Sequence, residues 1–184
     1  MARRCKNKCG NELPTVKNCE TIFQRKGYCD IDCLAEHTRK KNKEADRKKA
    51  AKSMREAKER VKTRQEWIRD AQRWFNKFIR LRDDKEPCIS CGRYHTGQYH
   101  AGHYRTTAAA PQLRFDERQV WKQCSPCNNH LSGNIPKYRP SLVAKLGLAT
   151  VEEIENNSDI KRWTIEELKE IKRIYKNKLK EMTT

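Results

Sequence analysis

The sequence predicts an α+β protein: a small zinc-stapled β-β-α core, an N-terminal zinc knuckle, a long basic helix and C-terminal helices. Three observations predict it. Of 184 residues only 35% are hydrophobic and 36% are charged, which is too little apolar side chain for one large core. Nine cysteines occur mostly in close pairs, as small metal-held modules require. A stretch from His37 to Asp84 contains neither proline nor glycine and is rich in Ala, Lys, Glu, Arg and Gln, the composition of a helix.

Residues 1–36 form the first segment. Cys5-x3-Cys9 and Cys29-x3-Cys33 are its natural ligand pairs for a second zinc ion, and Cys19 is left unmatched. Thiols that are merely reduced and buried are the alternative. Residues 37–84 form the helix. Between Thr38 and Glu66 it carries 13 basic and 5 acidic side chains, suited to lying along phosphates. Its apolar positions Met54, Ala57, Val61, Ile68, Ala71, Phe75 and Phe78 follow an alternating spacing of three and four that Arg64 interrupts, so one face can pack on another helix, within the chain or in a homodimer. That packing explains Trp67, Trp74, Phe75 and Phe78 better than base stacking does.

Pro87 ends the helix and opens the third segment, residues 85–140. Its glycines and prolines cut it into short elements, with strands over Gln98–Tyr104 and Val120–Gln123. Cys88-x-x-Cys91 and Cys124-x-x-Cys127 have a two-residue spacer that turns both sulfurs of a pair towards one tetrahedral ion. After Cys124, Ser125 is a good N-cap and Pro126 suits the first helical position, so a helix is expected there. In the last segment, residues 141–184, Thr150-x-x-Glu153 and Thr164-x-x-Glu167 are capping-box patterns. Ile165, Leu168, Ile171, Ile174, Tyr175 and Leu179 then mark one apolar face.

The formal charge is +18, and eight thiolates with two zinc dications would bring it to +14. An excess of that size points to a polyanionic partner whose counterions are released on binding. Membrane surfaces suit it less, because the basic segments lack an aromatic or leucine-rich face. No leader-like apolar segment opens the chain and no run approaches the roughly 20 residues of a membrane span, so a reducing cytoplasm, where thiols stay free for metal, is expected.

Four thiolates close a structural zinc site and leave no position for water, so any catalytic ion must sit elsewhere, on His, Asn or carboxylate donors. That directs attention to His100, His103, Asn128, Asn129 and His130. With two strands and a following helix, His103 and Asn128 can face each other across a groove wide enough for a phosphodiester. A neutral imidazole there can take a proton from water. His103 could equally be a zinc ligand or a packed strand histidine on spacing alone.

The run AGHYRTTAAAPQLRF, followed by DER, QC-x-x-CN and LSGN, resembles the NinG (Rap) family of phage lambda, as do CISCG at 88–92 and RWTIEE at 162–167. The core is also similar to endonuclease VII-type resolvases, in which four cysteines hold zinc and an asparagine follows the last of them. The resemblance implies a treble-clef-type, HNH-like endonuclease of phage recombination, using Mg²⁺ or Mn²⁺ to cut Holliday junctions and D-loops. His103 would be the general base, and Asn128, with His100, would hold the catalytic ion. His100 stands where the family pattern has aspartate, and Gln119 and Trp121 stand where it has asparagine and histidine. Arg105, Arg114 and Arg118 flank the centre and can grip phosphates, or pair instead with Asp116 or Glu117. Branched DNA, a second copy of the chain, and phage or host recombination proteins are the expected partners. The alternative is a non-catalytic zinc protein that holds branched or single-stranded DNA. A zinc-finger regulator would need a base-reading helix, which the sequence does not offer.

Overall fold

The computed structural model describes residues 3–15 and 18–183. The chain divides into two compact units, Met1–Lys62 and Thr63–Thr184, and its architecture is mixed α+β with two small antiparallel two-stranded sheets.

In the first unit β1 (Arg3–Arg4) pairs with β2 (Glu12–Leu13), Arg3 opposite Leu13, and the turn between them carries Cys5 and Cys9. A short helix, α1 (Ile22–Lys26), ends at Gly27, whose φ of 95° is the left-handed conformation that closes helices. Helix α2 (Ile31–Arg60) then starts on Asp30, whose carboxylate accepts from the Cys33 N–H at 2.6 Å and so fixes the turn that presents Cys29 and Cys33. None of the 30 residues of α2 is buried. Along it run i,i+4 pairs such as Glu36–Lys40 and Glu44–Lys48, at 2.8 and 2.6 Å, each worth a few tenths of a kcal/mol.

The expected single helix over 37–84 is two. Beyond α2, Thr63 is extended (φ −68°, ψ 161°) and caps a new helix, α3 (Arg64–Arg82). Its hydroxyl accepts from Glu66 N–H, and the Glu66 carboxylate accepts from Thr63 N–H at 2.8 Å. That reciprocal box satisfies donors an unbroken helix would bond internally, so the helix is interrupted at residues 61–63. The apolar stripe is severed there: Met54 and Val61 are 63% and 79% exposed, whereas Ile68, Ala71, Phe75 and Phe78 are buried.

The second unit is built on α3. Strands β3 (Tyr99–His103) and β4 (Val120–Cys124) are antiparallel, with Tyr99 opposite Cys124 and His103 opposite Val120. Helices α4 (Ile135–Leu146), α5 (Leu148–Asn156) and α6 (Ile165–Thr183) follow. One core joins Trp67, Phe75, Phe78 and Ile79 of α3 to Leu168, Tyr175 and Leu179 of α6, with Phe115 and Val120 closing it. Phe75 meets Tyr175 edge-on at 4.9 Å. The helix face open to an intramolecular or dimer partner is thus occupied by α6 of the same chain. A second core gathers Ile89, Tyr104, Leu113, Tyr138, Leu142, Val151 and Ile154 around α4 and α5.

Three further expectations are corrected. The helix expected after Cys124 does begin at Pro126, but as a single π-helical turn, Pro126–His130, and Ser125 is itself helical, its hydroxyl accepting from Asn129 Nδ2 at 3.1 Å instead of capping. Thr150 lies inside α5, which starts at Gly147, and only Thr164 forms its box with Glu167. Ile174, assigned to the apolar face of α6, is 37% exposed. No described helix is long and apolar enough to cross a membrane.

Candidate metal centres and a polar cavity

The two sets of four cysteines predicted from spacing each converge. Within Cys5, Cys9, Cys29 and Cys33, and within Cys88, Cys91, Cys124 and Cys127, the sulfurs all lie within 4.8 Å of one another. A tetrahedral zinc with bonds of about 2.3 Å needs sulfurs about 3.8 Å apart, so both sets fit it with small adjustments. Cys91 and Cys124 are already 3.9 Å apart. N–H groups are aimed at the sulfurs: Cys124 N–H donates to Cys88 at 3.3 Å, Asn134 Nδ2 to Cys127 at 3.4 Å, and Asn11 Nδ2 to Cys29 at 3.4 Å. His95 Nε2 lies 3.3 Å from the Cys91 sulfur, at the edge of the second cluster. Cys19 stands outside the first cluster, buried and accepting from Arg3 at 3.3 Å.

The second cluster ties the segment after α3 to the end of β4 and the π turn. Its consequence is a cavity of about 450 Å³ lined by Gln72 and Asn76 of α3, His103 of β3, Arg114, and Asn128 of the π turn. His103 and Asn128, 25 residues apart in sequence, therefore share one polar hollow. The His103 Nε2–H donates to the Arg114 carbonyl at 3.0 Å. A carbonyl only accepts, so Nε2 carries the proton and the lone pair of the neutral ring sits on Nδ1. Burial depresses the imidazole's pKa below its usual value. The Arg114 charge adds to that, against the opposing pull of the Arg114 and Ala101 carbonyls.

Arg114 is held by its Nη1 on Gln72 Oε1 at 3.3 Å and its Nη2 on the Thr107 carbonyl at 3.2 Å. Asn128 donates through Nδ2 to Asn129 Oδ1 at 2.6 Å, leaving its own amide oxygen for another partner. His100 does not line the cavity. Strand residues alternate faces, so positions 100 and 103 point to opposite sides of β3, and His100 Nε2 lies 3.5 Å from Asn129. The other two arginines are used internally. Arg105 donates to the Ile154 and Asn157 carbonyls at 3.0 and 2.6 Å, while Arg118 chelates Asp116 and reaches Glu153 at 3.1 Å.

Gln119 is fully buried. Its Nε2 donates to the Leu113 carbonyl at 2.7 Å and its Oε1 accepts from Arg105 N–H at 2.8 Å, pinning the neck of the loop that delivers Arg114. Trp121 does not line the cavity either; its ring lies under Arg82 at 4.3 Å and Lys145 at 4.8 Å. Sequence reasoning missed Gln72 and Asn76. Their i,i+4 spacing in a helix otherwise sorted into apolar and charged faces was the available signal.

Fold and site together define a cysteine-clamped α+β protein with two tetrathiol centres and one histidine- and asparagine-lined cavity. The family profile described as "Bacteriophage Lambda NinG protein" matches residues 1–184, and the chain belongs to the NinG family. It is similar to Protein ninG of Escherichia phage lambda and of Salmonella phage P22, each 53% identical over 122 residues, 66% of this chain and 60% of the relative. Protein ninG of Escherichia phage 933W is 52% identical over 122 residues, 66% of this chain and 61% of that protein. The matched region thus spans about three-fifths of these relatives' length. No solved structure matches the chain significantly.

Proposed function

We propose that the chain is a structure-specific endonuclease of phage recombination that hydrolyses phosphodiesters in branched DNA, Holliday junctions and D-loops among them. The products would carry 5′-phosphate and 3′-hydroxyl ends. The β3–β4 pair, the cysteine clamp and the π turn would serve as an HNH-like, treble-clef-type core. The observation that carries this reading is the meeting of His103, Asn128 and Arg114 in one cavity.

His103 is the general base. Its depressed pKa keeps it neutral at neutral pH, its Nε2–H bond to the Arg114 carbonyl fixes the ring, and Nδ1 takes the proton from the attacking water. Arg114 has guanidinium N–H groups beyond the two bonds it makes, and these orient the phosphate. The side-chain donors lining the cavity are amide, imidazole, hydroxyl and guanidinium, with no carboxylate among them. The Asn128 oxygen would be the protein's share of a Mg²⁺ or Mn²⁺ site. Such an ion supplies charge stabilisation at the departing 3′ oxygen. Arg105 and Arg118 have no part in this reading.

A labelled four-way junction incubated with wild type and His103→Ala, in Mg²⁺ and in Mn²⁺, tests it. Wild type should cut and the variant should bind without cutting. Binding with no wild-type cleavage in either metal would establish the second reading, a non-catalytic holder of branched DNA, which the carboxylate-free cavity favours. Two opposed cuts need two centres, so the nuclease would act as a dimer on the junction. Sedimentation of a one-chain complex would remove that part.

A further inference from the structure

Helix α3 has three faces. One is buried, with Trp67, Ala71, Phe75, Phe78 and Ile79. A second lines the His103 cavity with Gln72 and Asn76. The third holds Arg69, Arg73, Lys77 and Arg80, all exposed. At 100° per residue these four fall within about 80° of one another, and from first to last they rise about 16 Å along the helix. Their sector adjoins that of Gln72 and Asn76, so the basic row runs beside the cavity mouth. Arg73 pairs with Asp70 at 2.7 Å. Arg69, Lys77 and Arg80 have no carboxylate partner among the described residues.

Helix α6 widens the row. Lys169 stands over the Trp67 ring at 5.5 Å and Lys176 over the Trp74 ring at 4.8 Å, while Lys172, over Trp67 at 5.0 Å, is paired with Asp70 at 2.9 Å and adds no free charge. Lys77 approaches the same Trp74 ring at 5.9 Å. A ring face beneath an ammonium restricts where a long side chain can go, so the charges from the two helices are held in one band. Solvation alone does not require that cations of two helices and one cavity share a single side.

We propose that this face of α3, bordered by α6, is the track on which one duplex arm of branched DNA lies, bringing its backbone to the His103 cavity. The proposal rests on the branched-DNA reading above. B-DNA carries one phosphate per about 3.4 Å on each strand, so about 16 Å of helix spans roughly five phosphates of a strand, enough to engage every cation in the row.

The test compares two triple variants of the full chain with equal charge loss: Arg69→Gln, Lys77→Gln, Arg80→Gln on the track, and Arg93→Gln, Lys137→Gln, Arg162→Gln off it. Junction binding is measured by anisotropy without Mg²⁺ or Mn²⁺, from about 50 to 200 mM salt. The track variant should bind at least about tenfold more weakly, with a salt slope reduced by about three, since each phosphate contact contributes about 0.9. The off-track variant should stay within about threefold of wild type. Equal losses in both, or none in the track variant, would overturn the proposal. So would a loss confined to duplex RNA or to anionic lipid vesicles, run alongside. If wild type binds but never cuts, the nuclease reading fails while the track is still judged on binding alone.

Discussion

Gly102 sits on β3 opposite Trp121, diagonally across from Gln123, which is the cross-strand partner of His100. A Cβ at position 102 would fall 2.2 Å from Gln123 Oε1 and 2.9 Å from its Cβ and Cδ. Gln123 has nowhere to retreat. It is fully buried, and its Nε2 donates to Ser90 Oγ at 2.6 Å and to the Gly133 carbonyl at 2.5 Å. Gly102→Ala should therefore cost about 1–3 kcal/mol in overpacking, and about 1 kcal/mol more for each hydrogen bond that Gln123 gives up. The sum is about 2–5 kcal/mol. At about 3–5 °C per kcal/mol for a unit of this size, the melting midpoint of zinc-loaded, reduced protein should drop by roughly 6–25 °C. Gly97→Ala is the control, because nothing lies within 4 Å of a Cβ there; it should stay within about 0.5 kcal/mol of wild type. Gly102→Ala combined with Gln123→Ala should cost less than the two changes summed, since the second removes the obstacle to the first. A Gly102→Ala midpoint matching that of Gly97→Ala in circular dichroism would refute the packing argument.

Three other outcomes are expected. The acid limb of junction cleavage should lie below the ordinary imidazole value of about 6.5, because a base whose pKa is lowered stays neutral until pH falls further. Arg114→Ala removes a charge that opposes protonation and should move that limb upward; a limb above pH 6.5 in wild type would count against His103 as base. Zinc analysis of reduced, metal-replete protein should return two ions per chain, and Cys91→Ser should leave one; fewer than two in wild type removes the N-terminal centre. Glu155, gripped by Arg139 at 2.8 and 2.9 Å and accepting from Tyr104, is held at about 2. A depressed carboxyl contributes stability that is full above its unfolded value of about 4.3 and is lost as pH falls towards 2. Arg139→Ala should accordingly raise the midpoint of acid unfolding, and an unchanged midpoint would show that the pair contributes nothing.

What could be read in the sequence was what is encoded locally. Cysteine spacing revealed both clusters, because a short spacer determines by itself whether two sulfurs can face one ion. The strands Tyr99–His103 and Val120–Cys124 fell within a residue of expectation, and the stripe after Trp67 did find a helix to pack on. The break at 61–63 was overlooked because no proline or glycine marks it, although Thr63-x-x-Glu66 spelled out the cap. Thr150-x-x-Glu153 misled in the opposite direction, since Gly147 had already begun the helix. Arg118 took Asp116, the carboxylate two residues away that the sequence offered it, but Arg105 could not have been assigned: its partners Ile154 and Asn157 lie 49 and 52 residues away. His100 and His103 look like a pair in print, and only the two-residue period of a strand separates them.

Gln119 pins both roots of the loop after β3. One amide spans the neck, bonding Arg105 N–H on one side and the Leu113 carbonyl on the other, so the bulge between them hangs from a fixed collar. Ala108 and Ala109 are exposed at its outer end. Side chains could be exchanged there, for bulk, charge or an aromatic ring, without shifting the histidine at one root or the arginine at the other. On the proposed branched-DNA reading, that outer end is where preference among substrates could be altered while His103 and Arg114 keep their places.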